Sequence, residues 1–232
     1  MHKIIFSVIA ALMLVTPLFA QEIEESSSTA SAAPAEISKT ELVLKLEIAP
    51  SGQLDLKKAI TGLLYNIEYP SEQQASEAGF NATAELYYYP VKFLGLGFGV
   101  KQQFDRKIEN FGEIAITNFY VSVKPKLTLP ADWGIDYVYG LFQGGYGLFI
   151  HDYKLSSLPT YDLIPTKTEG GLYYAAGIGC EFNNFVFELL FCVNESTIKA
   201  NGIVESTGEQ TAGSLDAKYT TTNINIGYKF NL

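Results

Sequence analysis

The stretch INIGYKFNL, residues 224–232, lies at the end of the sequence and alternates strictly between two kinds of side chain. Apolar or aromatic residues occupy every even position, and polar residues or glycine occupy every odd one. Because successive side chains of a β-strand point to opposite faces, this period of two predicts a strand with one wholly apolar face. A tilted strand of about nine residues crosses the hydrocarbon core of a bilayer. The stretch therefore predicts a membrane-spanning strand whose apolar face consists of Ile224, Ile226, Tyr228, Phe230 and Leu232.

Comparable alternation recurs in seven earlier segments: 41–49, 80–89, 94–104, 113–129, 135–150, 170–182 and a strand that begins at Phe185. In lipid every backbone polar group needs an internal partner, so membrane strands have to close into a barrel. Long polar loops alternate with turns of a few residues, a pattern typical of outer-membrane barrels. We predict an all-β fold, a closed antiparallel up-and-down transmembrane β-barrel of eight strands over residues 40–232.

Three segments between the strands are assigned to surface loops: residues 51–79, 151–169 and 201–214. The first of them contains apolar residues but no steady period, so it could hold a short hairpin or a helical turn of its own. If it instead contains a pair of membrane strands, the barrel has ten strands rather than eight.

Two glycine-rich stretches make specific predictions about the wall. Gly95, Gly97 and Gly99 share one face of a strand, where they would leave room inside a narrow barrel for large side chains from across the lumen. In residues 135–150, Tyr137, Tyr139 and Leu141 have the opposite parity to Tyr146, Leu148 and Ile150. A β-bulge at Gly144–Gly145 would place both sets on the outer face.

Asn183–Asn184 separates two apolar segments and is typical of a two-residue hairpin turn. Such a turn pairs Phe182 with Phe185, so the outward parity changes from even to odd. The same register places Cys180 on the outer face and Cys192 in the lumen. Disulfide geometry cannot connect opposite sides of one sheet, so we predict two free thiols.

The N-terminal region predicts export. Residues 1–20 have a short charged start, an apolar run and a small residue, Ala20, suited to signal-peptide cleavage. Residues 21–39 are acidic and rich in Ser and Ala, which predicts a disordered leader. Export combined with alternating strands predicts the bacterial outer membrane. The formal net charge of -9 argues against a nucleic-acid partner, because phosphate binding needs a basic surface.

Charged residues at inward positions predict a network inside the lumen, formed by Lys45, Glu47, Glu85, Lys124, Glu181, Glu188 and Lys229. Side chains just fill the interior of an eight-stranded barrel, and buried charges need partners. One interpretation is a salt-bridge network that closes the lumen, and the other is a charged pore or proton path.

Aromatic residues near the turns predict a girdle at the periplasmic interface: Tyr88, Trp133, Tyr137, Tyr139, Tyr228 and Phe230. Ordinary strand packing in a soluble β-sandwich is the alternative interpretation of the same residues.

No catalytic, cofactor or metal site is predicted. After removal of the signal peptide one histidine remains, His151, with Asp152 next to it and Ser156 and Ser157 beyond. Adjacent strand residues point to opposite faces, so His151 and Asp152 do not form a dyad easily. The sequence also has no cluster of His, Cys and carboxylates at metal-ligand spacing. We therefore expect neither an enzyme nor a cofactor.

Over residues 40–232 the chain resembles the small eight-stranded outer-membrane proteins of the OmpA and OmpX type. The resemblance rests on the signal peptide, the strand pattern and the closing residues NINIGYKFNL. It implies that the terminal strand is the insertion signal read by the barrel-assembly machinery. In that family the strand usually ends on an aromatic residue, whereas here Leu232 is last and Phe230 lies two positions before it.

The sequence-based hypothesis is a structural or surface-interaction protein, adhesion-like in its role, with a side-chain-filled lumen. Its expected partners are outer-membrane lipids and lipopolysaccharide, the assembly machinery during insertion, and surface ligands bound by the loops. A narrow porin-like channel for small solutes and a lipid-modifying outer-membrane enzyme are the alternatives.

Overall fold

The computed structural model describes residues 39–61, 66–108, 112–130, 134–153, 162–203 and 210–232, nearly all of them in β-strands. The strands are β1 (Thr40–Ala49), β2 (Gly52–Thr61), β3 (Asn66–Ser76), β4 (Gly79–Val91), β5 (Leu94–Ile108), β6 (Gly112–Thr128), β7 (Tyr137–Tyr153), β8 (Asp162–Glu169), β9 (Gly171–Phe182), β10 (Phe185–Ile203) and β11 (Gln210–Asn231). The predicted signal peptide and leader lie outside the described residues, and so does Trp133.

Eight of these strands form a closed antiparallel ring in the order β1, β4, β5, β6, β7, β9, β10, β11. The terminal strand closes the ring, because Tyr228 of β11 pairs with Leu44 of β1 on one side and with Phe185 of β10 on the other. The predicted eight-stranded up-and-down barrel is confirmed, and the described ring does not have the ten strands of the alternative.

The short connections β4–β5, β6–β7 and β9–β10 lie at one end of the barrel, here called the turn end, and the opposite end is the loop end. Outward side chains between the two ends are largely apolar. They form an exposed belt around the ring that includes Leu46, Phe80, Val121, Phe142, Ile178, Phe187 and Ile226. A closed wall with an apolar outer face and paired backbone groups is what lipid requires. Within the described ranges, no helix is long and apolar enough to cross a membrane.

The remaining strands continue the wall beyond the ring at the loop end. The β2–β3 hairpin pairs with β11 from Ala212↔Thr61 to Thr221↔Gly52, and β8 pairs with β10 from Thr197↔Glu169 to Ile203↔Asp162. We call the resulting five-stranded segment β8–β10–β11–β2–β3 the raised sheet.

The raised sheet corrects the three predicted loops. Residues 51–79 do contain a hairpin, but its strands are ten and eleven residues long. Residues 151–169 include the end of β7 and all of β8, and the residues assigned to the third loop include the ends of β10 and β11. Strands that lie beyond the lipid need backbone pairing but no continuous apolar face, so the alternation that predicts membrane strands is missing there.

The predicted bulge at Gly144–Gly145 is wrong. The β6–β7 pairs keep one register from Gly112↔Tyr153 to Thr128↔Tyr137. Consequently Tyr139 and Leu141 are buried in the lumen, and Phe142 takes the outer position. Tyrosines line the lumen as well as the outer face of the barrel. The position of apolar and aromatic residues therefore could not show which side chains of β7 point outward.

A register shift does occur in β5, between Gln103 and Arg106. It changes the parity of the strand, because Lys101 and Gln103 are buried and so are Arg106 and Ile108. The effect is to direct the Arg106 guanidinium into the barrel near the loop end.

The hairpin prediction is confirmed. Phe182 pairs with Phe185, and Asn183 has the positive φ of 53° that such a turn favours. Cys180 and Cys192 are both free thiols, the first half-buried and the second buried.

Candidate functional site

The lumen is lined by charged side chains that lie next to charges of opposite sign. All seven predicted residues are buried there, and three further ones share the lumen: Glu41, Lys101 and Lys126. The described lumen thus contains five glutamates and five lysines, besides Arg106 near the loop end. Alternation alone could have located Lys101, two positions after Gly99, and Lys126, two positions after Lys124.

Glu181 is the centre of the network nearest the turn end. Its carboxylate lies 2.8 Å from Lys124 Nζ, 2.9 Å from Lys126 Nζ and 2.8 Å from Lys229 Nζ. Glu41 adds a second carboxylate, 3.2 Å from Lys126 and 3.4 Å from Lys229. This turn-end network therefore joins β1, β6, β9 and β11 through two carboxylates and three ammonium groups.

A second network, the mid-lumen network, is centred on Lys45. Its Nζ lies 2.7 Å from Glu85 and 2.8 Å from Glu188. Further toward the loop end, Glu47 pairs with Lys101 and accepts hydrogen bonds from Thr83, Asn81 and Asn223. The mid-lumen network contains three carboxylates and two ammonium groups, so it carries an excess negative charge, whereas the turn-end network carries an excess positive one.

Lys124 lies between the two networks. Its Nζ is 4.0 Å from the centre of the Tyr139 ring and 5.0 Å from that of Tyr87, in addition to its contact with Glu181. A lysine over aromatic rings is stabilised by their negative faces, most strongly where water is absent. The excess positive charge of one network thus lies next to the excess negative charge of the other.

Buried tyrosines satisfy the carboxylates and fill the space around them. Tyr120 donates a 2.7 Å hydrogen bond to Glu85, and Tyr139 donates one of 2.9 Å to Glu188. Tyr120 lies against Gly99 of the neighbouring strand, and Tyr139 lies against Gly179. The rings over Gly95, Gly97 and Gly99 come from adjacent strands and not from across the lumen as predicted: Tyr89, Tyr87 and Tyr120.

A different kind of layer lies at the loop end of the lumen. Six apolar side chains and Tyr219 pack together there, contributed by β2, β5, β6, β10 and β11: Leu54, Ile108, Ile114, Ile116, Ile198 and Ala217. Arg106 lies beside this layer and donates a 2.6 Å hydrogen bond to the hydroxyl of Tyr219. We refer to these residues without Arg106 as the apolar layer.

The layer and the networks together determine what the lumen can do. Buried charges are costly unless they are paired, and each of the ten luminal carboxylates and ammonium groups lies within 3.4 Å of a group of opposite charge. An apolar layer across the lumen leaves ions no hydrated path, because an unpaired charge among apolar groups is very costly. The geometry therefore favours the salt-bridge interpretation of the lumen over a charged pore.

The other predicted residues are distributed along the outer face or fall outside the description. Tyr88, Tyr228 and Phe230 are exposed near the turn end, as a girdle requires, whereas Tyr139 lies inside the barrel. Tyr137 also differs from the girdle prediction, since its ring lies 5.2 Å from Lys126 Nζ at the turn end of the lumen.

The proposed insertion signal lies on the outer face of the closing strand. Ile224, Ile226, Tyr228 and Phe230 are all exposed there, and Leu232 follows β11. Its reading by the assembly machinery stays a prediction. The side chains of His151 and Asp152, together with Ser156 and Ser157, lie outside the described part of the chain, so the expectation of no catalytic dyad also stays a prediction.

No protein-family model matches the chain, and no curated protein sequence matches it. Among solved structures it is similar to the crystal structure of the outer membrane protein OprG from Pseudomonas aeruginosa, with a TM-score of 0.53, 13% sequence identity, and 84% of this chain and 98% of that chain covered. It is also similar to the solid-state NMR structure of the outer membrane protein AlkL in lipid bilayers, with a TM-score of 0.44, 13% identity and coverage of 89% and 97%. A third similarity is to the crystal structure of Ail, the attachment invasion locus protein of Yersinia pestis, with a TM-score of 0.35, 16% identity and coverage of 83% and 99%.

The likeness to OprG concerns the fold, at an identity too low to carry a function. Together with the apolar belt and the closed ring, this likeness shows that the chain has the fold of a bacterial outer-membrane β-barrel. Proteins with this fold lie in the outer membrane.

Proposed function

We propose that the protein is a closed outer-membrane barrel that acts at the cell surface, as a structural and interaction protein of adhesion-like type. The observation that carries the proposal is the raised sheet. β10 has 19 residues and β11 has 22, about twice the length that crosses a bilayer. The additional length of β11 is paired with β2 and that of β10 with β8, and β3 extends the sheet beyond β2. These strands form an ordered wall beyond the apolar belt.

The outer face of this wall suits a hydrated ligand. Most of its described side chains are charged or polar, and some form short-range pairs, such as Lys199 with Glu169 at 2.7 Å and Thr197 with Asp216 at 3.0 Å. Groups of both signs alternate across β8, β10 and β11, so the face resembles the polar rim of a protein interface more than a lipid-facing surface.

The two outer strands of the raised sheet are protected against strand addition. β3 contains Pro70 and β8 contains Pro165, and each strand has a register shift against its partner at that point. Proline and bulges on edge strands prevent pairing with another chain. The proposed contact surface is therefore the face of the raised sheet and not its edges.

The test is to remove the hairpin and keep the barrel. A variant that joins Ser51 directly to Glu77 lacks all of β2 and β3 but keeps every strand of the ring. We expect cells that display it to lose most of the adherence to host matrix proteins that the intact protein confers. The matched control is Gln102→Ala with Thr117→Ala, because these hydrogen-bonded side chains are outside the raised sheet.

Heat-modifiable electrophoretic mobility verifies that both variants fold and insert. Unchanged adherence of the folded hairpin variant would contradict the proposal. So would an intact protein that confers no more adherence than an empty vector. Loss of adherence in the control variant to the same degree would also contradict it, since the raised sheet would then have no special part.

A further inference from the structure

A pocket of about 480 Å³ lies on the outer wall where β1 gives way to β2. The junction creates it. Ile48 pairs with Ile224 and Gly52 pairs with Thr221. Between these two pairs the chain advances four positions from β1 to β2 but only three along β11, so the β1–β2 side has one extra residue. An extra residue of this kind locally separates the strands and leaves a depression in the wall. Its volume lies in the range of small-molecule sites, about 300 to 1,000 Å³.

The pocket lies at the boundary between the apolar belt and the raised sheet. Phe191 of β10 lines it and is 52% exposed, and Ile224, two positions along β11 toward the turn end from Thr222, is 49% exposed. Thr222 pairs with Phe191, and the next outward residues beyond it toward the loop end are Thr220 and Lys218. This is the level at which lipid headgroups meet the wall of a membrane barrel.

The polar side chains that line the pocket have no partners within the described protein. Gln53, Gln73 and Thr222 form no side-chain hydrogen bond or ion pair with any described residue, and all three are exposed. Some polar side chains elsewhere on the outer face are paired with each other. Gln102 accepts a 2.6 Å hydrogen bond from Thr117, for example.

The chemistry of the lining identifies a class of ligand. Amide and hydroxyl groups both donate and accept hydrogen bonds, and no charged residue lines the pocket. Sugar hydroxyl groups have the same dual character, whereas a phosphate group would require lysine or arginine. Phe191 at the margin offers an apolar surface that continues into the belt below.

We propose that this pocket binds the sugar headgroup of a glycolipid in the outer leaflet. Gln53, Gln73 and Thr222 hydrogen-bond to the sugar, and the acyl chains lie along Phe191 and the belt. A membrane glycolipid is favoured over a soluble sugar because the pocket opens at the edge of the apolar belt, where one molecule contacts both surfaces. The site shares β2 and β3 with the raised sheet but lies at its membrane boundary. Its three substitutions leave the outer part of the raised sheet unchanged, so lipid retention and adherence can fail separately.

The experiment measures lipid retention on the full mature protein. The barrel is reconstituted with an uncharged glycosyl diacylglycerol or with phosphatidylethanolamine, extracted in mild detergent, and weighed by native mass spectrometry. The variant carries Gln53→Ala, Gln73→Ala and Thr222→Ala, and the control carries Gln102→Ala and Thr117→Ala. We expect the intact protein to retain one molecule of the glycosyl diacylglycerol and the pocket variant to retain about tenfold less, the effect of one or two net hydrogen bonds.

Retention by the control variant at the level of the intact protein supports the proposal. Equal retention by the pocket variant overturns it, and so does equal retention of phosphatidylethanolamine by the intact protein. Displacement of the bound lipid by a soluble monosaccharide at equal concentration would contradict the proposal that the ligand is a membrane glycolipid. Because all five substitutions are on the outer face, unchanged thermal unfolding of both variants verifies that the lumen is intact.

Discussion

The turn-end network and the apolar layer close the two ends of one lumen by opposite means. At the turn end, Glu181 holds three lysines within 3 Å. At the loop end, aliphatic side chains from five strands pack together, and the buried Arg106 donates a hydrogen bond to Tyr219 of the same layer. The difference teaches that a filled lumen need not be uniform. Ion pairs specify which strands become neighbours, because each buried charge needs its partner. Apolar packing stabilises the barrel without such directionality.

Replacing the central carboxylate should give the largest effect. Glu181→Ala leaves Glu41 as the partner of Lys126 and Lys229 and removes the ion-pair partner of Lys124. Removal of one partner from a buried ion pair costs about 3 to 5 kcal/mol, because it leaves uncompensated charge. Reversible urea unfolding in lipid vesicles measures the loss. A matched change at the exposed Glu195, which accepts a hydrogen bond from Tyr174, should have little effect. Equal losses at Glu181 and Glu195 would mean that the network is not desolvated.

A cavity in the apolar layer should be nearly as costly. Ile116→Ala removes a fully buried side chain, and such changes cost about 2 to 5 kcal/mol. Because Ile116 and Glu181 share no partner, the double variant should show the sum of the two losses within about 0.5 kcal/mol. Strong non-additivity in the same unfolding assay would contradict the separation of the lumen into two independently closed ends.

The tyrosine–glycine contacts predict an intermediate effect. A Cβ at Gly99 would lie 2.5 Å from the Tyr120 ring, which is held by its hydrogen bond to Glu85. Gly99→Ala should therefore cost about 1 to 3 kcal/mol through overpacking. Gly144→Ala is the matched control, since nothing lies within 4 Å of a Cβ there. If both substitutions had the same effect on the unfolding midpoint, the luminal contacts would not be close.

The smallest effect is expected on the raised sheet. Hydrogen bonds from Lys199 and then from Lys167 lower the pKa of Glu169 below its ordinary value. A carboxylate whose pKa is lowered by folding stabilises the folded state at pH values above its ordinary pKa. This contribution is lost as the pH falls through the pKa of the folded state. Because these side chains are exposed, the stabilisation is small and is screened by salt. Glu169→Gln should lower the Tm slightly at about pH 7 and not at about pH 3. A difference in Tm between the variant and the intact protein that grows in acid would contradict a stabilising role for the Glu169 carboxylate.

The sequence predicts the membrane part of the fold far better than the rest. Alternation locates the eight strands of the ring, and the Asn183–Asn184 turn determines the register that separates Cys180 from Cys192. The raised sheet could not be predicted in the same way, because the sequences of β2, β3 and β8 show no sustained alternation of apolar and polar residues. The parity of β7 was also wrong, since Tyr139 and Leu141 suit either lipid or a lumen rich in tyrosine.

The lumen shows a similar division. Inward parity places Lys45, Glu85 and Glu188 correctly in space, yet their mutual contacts depend on which strands are neighbours across the ring. Arg106 could not be found by alternation, because the register shift in β5 changes the parity just before it. The outer pocket depends on the offset between β1 and β2 and has no counterpart in the sequence pattern.

The central claim is that the lumen is closed, and ion conductance of the refolded mature protein in a planar bilayer tests it most directly. Insertion is verified separately by protease protection. The account predicts a silent bilayer for the intact protein, because paired charges and the apolar layer leave no hydrated path. Steady single-channel openings would show a hydrated lumen, contradict the closed barrel, and make transport the leading function.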